Sequence, residues 1–99
     1  MRRAARTDEN QPAIVAALEA IGARVQILSA VGGGCPDLLV GHRGVNWLLE
    51  IKNPTKPKTD RQLTPEQALW HATWQGQVRV VETEMDALGV VLGRIPGVV

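Results

Sequence analysis

Apolar residues recur along this chain with two different periods. Ile14, Val15, Leu18 and Ile21 fall at helical spacing and stop at Gly22, which predicts a first helix. Val25 and Ile27 alternate with polar neighbours as a first strand. Two apolar runs, Leu38-Leu39-Val40 and Trp47-Leu48-Leu49, flank the turn signal Gly41-His42-Arg43-Gly44 and predict an antiparallel hairpin. A polar, proline-containing loop from Asn53 to Gln62 follows, then a helix from Thr64 to about Gln75 that Gly76 stops. Val78 to Val81 read as a fourth strand and Met85 to Leu92 as a short last helix. The tail from Gly93 to Val99 is expected to be loose or packed against a partner. No internal repeat is visible, and 99 residues suffice for one domain, 1–99, but not for two.

Charged residues interrupt this pattern where a core would prefer leucine. Asp37 opens the first hairpin run, Glu50 and Ile51 close the second, and Lys52 follows. A loop centred between Arg43 and Gly44 pairs Gly41 with Asn46, Leu39 with Leu48, and Asp37 with Glu50. Opposed residues share a face, with Cβ atoms about 4.5–5.5 Å apart, so the two carboxylates converge. Strand alternation puts Lys52 on that face too and leaves Leu38, Val40, Trp47, Leu49 and Ile51 for an apolar rear face.

Charges in such places must be paired, metal-bound or open to a cleft, because burying an unpaired charge is costly. Two adjacent carboxylates repel, and a hard divalent cation relieves the repulsion. A cation-bound water is acidified, and an ammonium nearby can orient that water or stabilise charge growing on a phosphate oxygen. Asp37, Glu50 and Lys52 are therefore sufficient for phosphodiester hydrolysis. A salt bridge from Lys52 to either carboxylate at the sheet end explains the same spacing.

Pro36-Asp37 followed by Glu50-Ile51-Lys52 resembles the signature of the PD-(D/E)XK nuclease superfamily. The wider order is similar to the virus-type replication-repair nuclease (VRR-NUC) domain. Its parts correspond here to Glu9, the helical segment Ile14 to Ile21, Gly32-Gly33-Gly34-Cys35-Pro36-Asp37, Glu50-Ile51-Lys52 and Leu63-Thr64-Pro65-Glu66-Gln67, closed by a strand at Gly76 to Val81. The resemblance spans residues 9 to 90. It implies a restriction-endonuclease-like α/β fold with an αβββαβ core, its mixed sheet flanked by helices. It also implies a DNA endonuclease dependent on Mg²⁺ or Mn²⁺. Asp37 and Glu50 would hold the metal, with the Ile51 carbonyl and Glu9 as further ligands, and Lys52 would act on water or phosphate. Gln67 on the second helix would face the metal site, with His71 one turn on. Stand-alone members are implied to act as homodimers on branched DNA such as four-way junctions. A monomeric flap or nick nuclease within a larger replication complex is the alternative enzyme, and a non-cutting DNA-binding module on the same fold is a third reading.

Several residues have competing explanations. Thr64, Pro65 and Gln67 form a capping box, which accounts for the glutamine without any chemistry. Pro12 places the helix start near Asn10, expected as the N-cap, and leaves Glu9 just ahead of the helix, where a negative group is favourable anyway. Glycines 32 to 34 fit a flexible approach loop or a plain strand connection. Trp70 and Trp74 share a helix face and suit core or dimer packing.

Composition narrows the partners. The net charge of +1 rules out a broadly basic surface, so DNA contact is expected from local patches: Lys56, Lys58 and Arg61 after the hairpin, and Arg2, Arg3 and Arg6 at the start. Tyr and Phe are absent, so any base stacking falls to Trp or His. Cys35 is the lone cysteine, which excludes an internal disulfide and suits a reducing compartment; a small buried filler is its expected role, and the expected location is the cytoplasm of a prokaryote or a virus-infected cell. No signal peptide or membrane span is expected.

Overall fold

The computed structural model describes residues 7–93. Its elements run α1 (Gln11–Ala20), β1 (Arg24–Ile27), β2 (Leu38–His42), β3 (Val45–Ile51), a 3₁₀ turn (Lys58–Arg61), α2 (Pro65–Thr73), β4 (Arg79–Val81) and α3 (Glu84–Val91). The strands form one sheet in the order β1-β2-β3-β4. The first two pairings are antiparallel and β3–β4 is parallel, so the αβββαβ core carries the expected mixed sheet. Arg2, Arg3, Arg6 and the tail beyond Gly93 lie outside the described residues. None of the helices described is long and apolar enough to cross a membrane.

The hairpin closes as its turn chemistry requires. His42 pairs with Val45, leaving Arg43 (φ 49°) and Gly44 (φ 79°) as a two-residue loop in the left-handed region. Such a loop matches the twist of the strands it joins. The register follows, with Gly41 opposite Asn46 and Leu39 opposite Leu48. Leu38, Val40, Leu49 and Ile51 are thereby turned into the core, where they meet Ile14 and Leu18 of α1, Val81 of β4, and Ala87, Val90 and Val91 of α3. Trp47 packs at the edge of this cluster.

Three local features differ from the sequence expectation. Asn10 stands before α1 but makes no capping bond; its Nδ2 donates instead to the Lys52 carbonyl (3.1 Å) and the Glu82 carbonyl (2.8 Å). The asparagine thus ties the start of α1 to the chain leaving β3 and β4, a bond between distant segments that local pattern does not contain. α2 ends at Thr73 and not Gln75, because Trp74 turns extended and stacks on Trp70, with ring centroids 4.6 Å apart. Trp74 is also exposed, as are Leu69 on α2 and Ile27 at the end of β1, so none of the three joins the core.

The second helix sits where the glycine segment lets it. Gly34 has φ +84°, and a Cβ built on it would lie 2.6 Å from the Glu66 carbonyl oxygen and 3.1 Å from the Gln67 nitrogen. The segment before Asp37 therefore runs directly against the first turn of α2, an approach that only glycine permits. Gly32 shares the left-handed conformation (φ +77°) but faces open space.

Gly32→Ala should accordingly cost only the left-handed strain, about 1–2 kcal/mol. Gly34→Ala adds a backbone clash and should destabilise more. Denaturant unfolding of the two variants compares them directly; equal losses would show that α2 is not seated against Gly34.

Candidate active site

The end of the β2–β3 hairpin gathers three charged side chains into a small, largely buried volume. Asp37 continues β2 by one residue: its N–H donates to the Leu49 carbonyl (3.0 Å), and its Oδ2 accepts from the Ile51 N–H (2.7 Å). A carboxylate side chain thus takes the bond that the strand ladder would otherwise use. Glu50, on the opposite strand, is only 2% exposed, and Lys52 only 8%. These are the convergences that the hairpin arithmetic predicts.

Gln67 joins them from α2. Its Nε2 donates to Glu50 Oε2 (3.2 Å), and its Oε1 accepts from Lys52 Nζ (2.8 Å). The same Oε1 accepts from the Thr64 N–H (3.0 Å), while the Gln67 N–H donates to Thr64 Oγ1 (3.2 Å), completing the capping box. The two explanations of Gln67 are therefore one arrangement. Capping fixes the side chain at N3, and the fixed amide spaces the lysine from the glutamate. No direct ion pair between Lys52 and either carboxylate forms among the described residues, so the salt-bridge reading of the spacing is not the arrangement adopted.

The electrostatics of Glu50 follow from this crowding. Its pKa is raised from 4.5 to about 8, first by burial, then by the Asp37 charge and a hydrogen-bonding contact with Asp37. Lys52 opposes the shift, and Asp8 adds a further negative contribution. Asp8, beside the expected Glu9, is the acidic neighbour that Glu50 feels, and no motif position pointed to it. His71 Nε2 lies 3.9 Å from Glu50 Oε1, and both atoms are buried without a hydrogen-bond partner. The His71 pKa is lowered, by burial first and then by Lys52, so at neutral pH the pair is a neutral imidazole beside a carboxyl group and not an ion pair. His71 follows Gln67 by four residues and so shares its helix face, the one sequence signal for its position.

The site opens into a cleft of about 590 Å³ lined by Thr7, Asp8, Glu9, Asp37, Glu50, Ile51, Lys52, Lys56, Thr64 and Gln67. Glu9 is an exposed wall residue there. Among the described residues no three His, Cys, Asp or Glu side chains come close enough to hold an ion by themselves, so Glu9 does not complete a set with Asp37 and Glu50. The remaining basic positions diverge. Lys56 lines the cleft, Lys58 is exposed on the 3₁₀ turn, and Arg61 pairs with Glu82 at 3.6 Å. Cys35 is half-buried, and burial, then Glu50 and Asp37, push its thiol up, which keeps it neutral and a poor metal ligand.

Among solved structures, a VRR-NUC domain matches this chain with a TM-score of 0.63 and 28% sequence identity, over 86% of this chain and 92% of that one. The likeness supports a VRR-NUC domain. It likewise supports a nuclease domain of the PD-(D/E)XK type, the type whose signature Pro36-Asp37 and Glu50-Ile51-Lys52 resemble. No family model and no curated protein matches the chain. Nuclease domains of this type use a divalent metal in general. The site offers what such an ion needs: two converging carboxyl groups, a buried Glu50 oxygen without a partner, and a hard oxygen donor set.

A pH test isolates the crowding. Between pH 4.5 and about 8 the folded chain holds a proton on Glu50 that an unfolded chain releases. Stability of the metal-free domain should fall as pH rises through that window. His71 acts in the opposite sense, its contribution being lost as pH drops through the ordinary histidine value of 6.5. From about pH 7 to about pH 8 the Glu50 slope should therefore stand alone. Denaturant midpoints in EDTA should decline over that range in wild type and stay level in Glu50→Gln. A level wild type, or an unchanged slope in the variant, would show that Glu50 is not held protonated.

Proposed function

We propose that this domain is a metal-dependent DNA endonuclease that hydrolyses phosphodiester bonds with Mg²⁺ or Mn²⁺. The observation that carries the reading is Glu50: a glutamate buried beside Asp37, with one oxygen unpartnered, in the wall of an open cleft. A domain with no use for a cation gains nothing from this burial, since a leucine there would avoid its cost.

Asp37 and Glu50 would hold the ion, with the Ile51 carbonyl a further oxygen at the cleft wall. The ion would supply Lewis acidity and lower the pKa of water at neutral pH. Hydrolysis adds a water oxygen to phosphorus and expels one sugar oxygen, so charge grows on the phosphoryl oxygens. Lys52, kept in place by Gln67 Oε1, would orient the attacking water or stabilise that charge. Gln67 holds the Glu50 carboxylate through its amide and sets the distance between the two groups. Lys56 at the cleft and Lys58 on the adjoining turn are the proposed phosphate contacts. Arg61 would join them only by exchanging Glu82 for a phosphate.

The substrate we favour is branched DNA, with four-way junctions foremost, cut by a homodimer. A domain of 99 residues has little surface with which to grip a junction alone. Leu69 on α2 and Trp74 at its C-terminal end are each exposed, and such apolar side chains suit a subunit interface. Sedimentation at micromolar concentration, with and without junction DNA, should report a dimer. A monomer in both conditions would favour a flap or nick nuclease acting within a larger complex.

Labelled linear, flap and four-way DNA incubated with Mn²⁺ or with EDTA tests the activity. Wild type should cut only with the metal, and Asp37→Asn or Glu50→Gln should fall below detection while remaining folded. Lys52→Ala should lower single-turnover cleavage on the order of a hundredfold with little loss of DNA affinity. Near-wild-type cutting by either carboxamide variant would remove the metal-site reading. Cutting by no protein at all, with DNA still bound, would favour a binding module.

Gln67→Glu separates capping from chemistry. The variant keeps an oxygen that accepts from the Thr64 N–H but loses the N–H donated to Glu50 and adds a charge beside it. Its melting temperature with metal bound should hold, while cleavage drops about tenfold, or ~1.4 kcal/mol in barrier. Unchanged kinetics across a Mg²⁺ titration would leave the cap as its whole role.

A further inference from the structure

The hairpin turn is built on a residue that the turn itself does not favour. Arg43 takes φ 49°, the one non-glycine residue with positive φ among the described residues. A two-residue loop of this kind prefers Asn, Asp or Gly, because a larger side chain is strained in the left-handed region. The fold makes no use of the arginine's charge either. Among the described residues neither Arg43 nor Arg24, at the start of β1, makes a side-chain hydrogen bond or ion pair. The other two described arginines do, Arg61 with Glu82 and Arg79 with the Val78 carbonyl.

Strand register brings the two arginines to one hollow. Arg24 stands opposite Gly41, and Gly41 opposite Asn46, so the three form a row across β1, β2 and β3 on one face of the sheet. Gly41 puts no side chain between its neighbours, and a hollow of about 380 Å³ opens there. Arg24, His42, Arg43 and Asn46 help to line it, and no acidic residue does. It thus offers two exposed guanidinium groups beside an imidazole and an amide, a donor set that suits phosphate oxygens. The turn lies at the far end of the hairpin from Asp37 and Glu50. Arg43 precedes Glu50 by seven residues, about 23 Å along an extended strand. One strand of B-form DNA covers that length in about seven nucleotides, so a single duplex can reach both places. Resting on DNA as the substrate, we infer that Arg24 and Arg43 form a second phosphate-binding site, which holds DNA backbone at a distance from the bond in the cleft.

The test reads binding and not cleavage. Fluorescence anisotropy follows a labelled duplex of about 24 base pairs, longer than that span, in EDTA and across a salt series. Wild type is compared with Arg24→Gln, Arg43→Asn, Arg43→Lys, the double variant Arg24→Gln/Arg43→Asn, and Lys56→Ala at the cleft. Asparagine suits the left-handed turn, so Arg43→Asn should unfold at the same denaturant concentration as wild type or a higher one. Each lost arginine should weaken binding about five- to tenfold at ~0.1 M salt and lower the slope of log affinity against log salt by about 0.9 per chain. The double variant should lose about twice that slope, and Arg43→Lys should keep it. Unchanged affinity and slope in the double variant overturns the inference; a loss confined to Lys56→Ala would then leave the cleft as the DNA site. Equal losses in Arg43→Lys and Arg43→Asn overturn it too, since charge would not be what binds. Wild type that binds no DNA removes both the second site and the DNA reading on which it rests.

Discussion

The arrangement of this domain turns on the burial of Glu50 beside Asp37. Two carboxyl groups in one desolvated volume cannot both carry charge cheaply, and the pKa of Glu50 near 8 is the direct expression of that conflict. Nearby contacts limit the damage without removing it. Asp37 Oδ2 is held by the Ile51 N–H, Glu50 Oε2 by the Gln67 amide, and Lys52 is kept two bonds away through Gln67 Oε1. A direct Lys52–Glu50 pair would neutralise the site. The intervening amide preserves an acidic pocket with one free oxygen, which is the state a cation would complete.

The fold keeps that pocket from collapsing. The hairpin register fixes Asp37 and Glu50, while the opposite faces of β2 and β3 are locked into the core by Leu38, Val40, Leu49 and Ile51. Gln67 depends on a different set of restraints: the capping box at Thr64 and the close passage of Gly34 under the first turn of α2. Asn10 adds a tether from α1 to the Lys52 carbonyl, so the lysine backbone is held from the N-terminal side as well. The site is thus positioned by elements from both ends of the described chain, and its least packed component is α2, which buries none of its residues fully.

Features set by local pattern were legible in the sequence. The two-residue turn at Arg43-Gly44 fixes the register, and the register alone brings Asp37 to Glu50. The Thr64–Gln67 box is likewise written in four consecutive residues. What could not be read depends on contacts between distant segments. Asn10 looked like an N-cap because the residue type and the following proline favour one, yet its amide serves two carbonyls more than forty residues away in sequence. Arg61 looked like a free phosphate contact until the fold placed Glu82 beside it. Asp8 and Glu9 both line the cleft, yet it is Asp8 whose charge bears on Glu50, a choice that spacing does not encode. His71 could be placed on the Gln67 face by counting, but its unpartnered nitrogen appears only with the structure.

A Glu50 that rests protonated must give up its proton when a divalent ion binds. Titration calorimetry with Mn²⁺ at neutral pH, repeated in buffers of different ionisation enthalpy, counts that proton. Wild type should release about one proton per ion bound, and Glu50→Gln should bind none. Binding whose heat is the same in every buffer, or that persists undiminished in Glu50→Gln, would contradict this linkage.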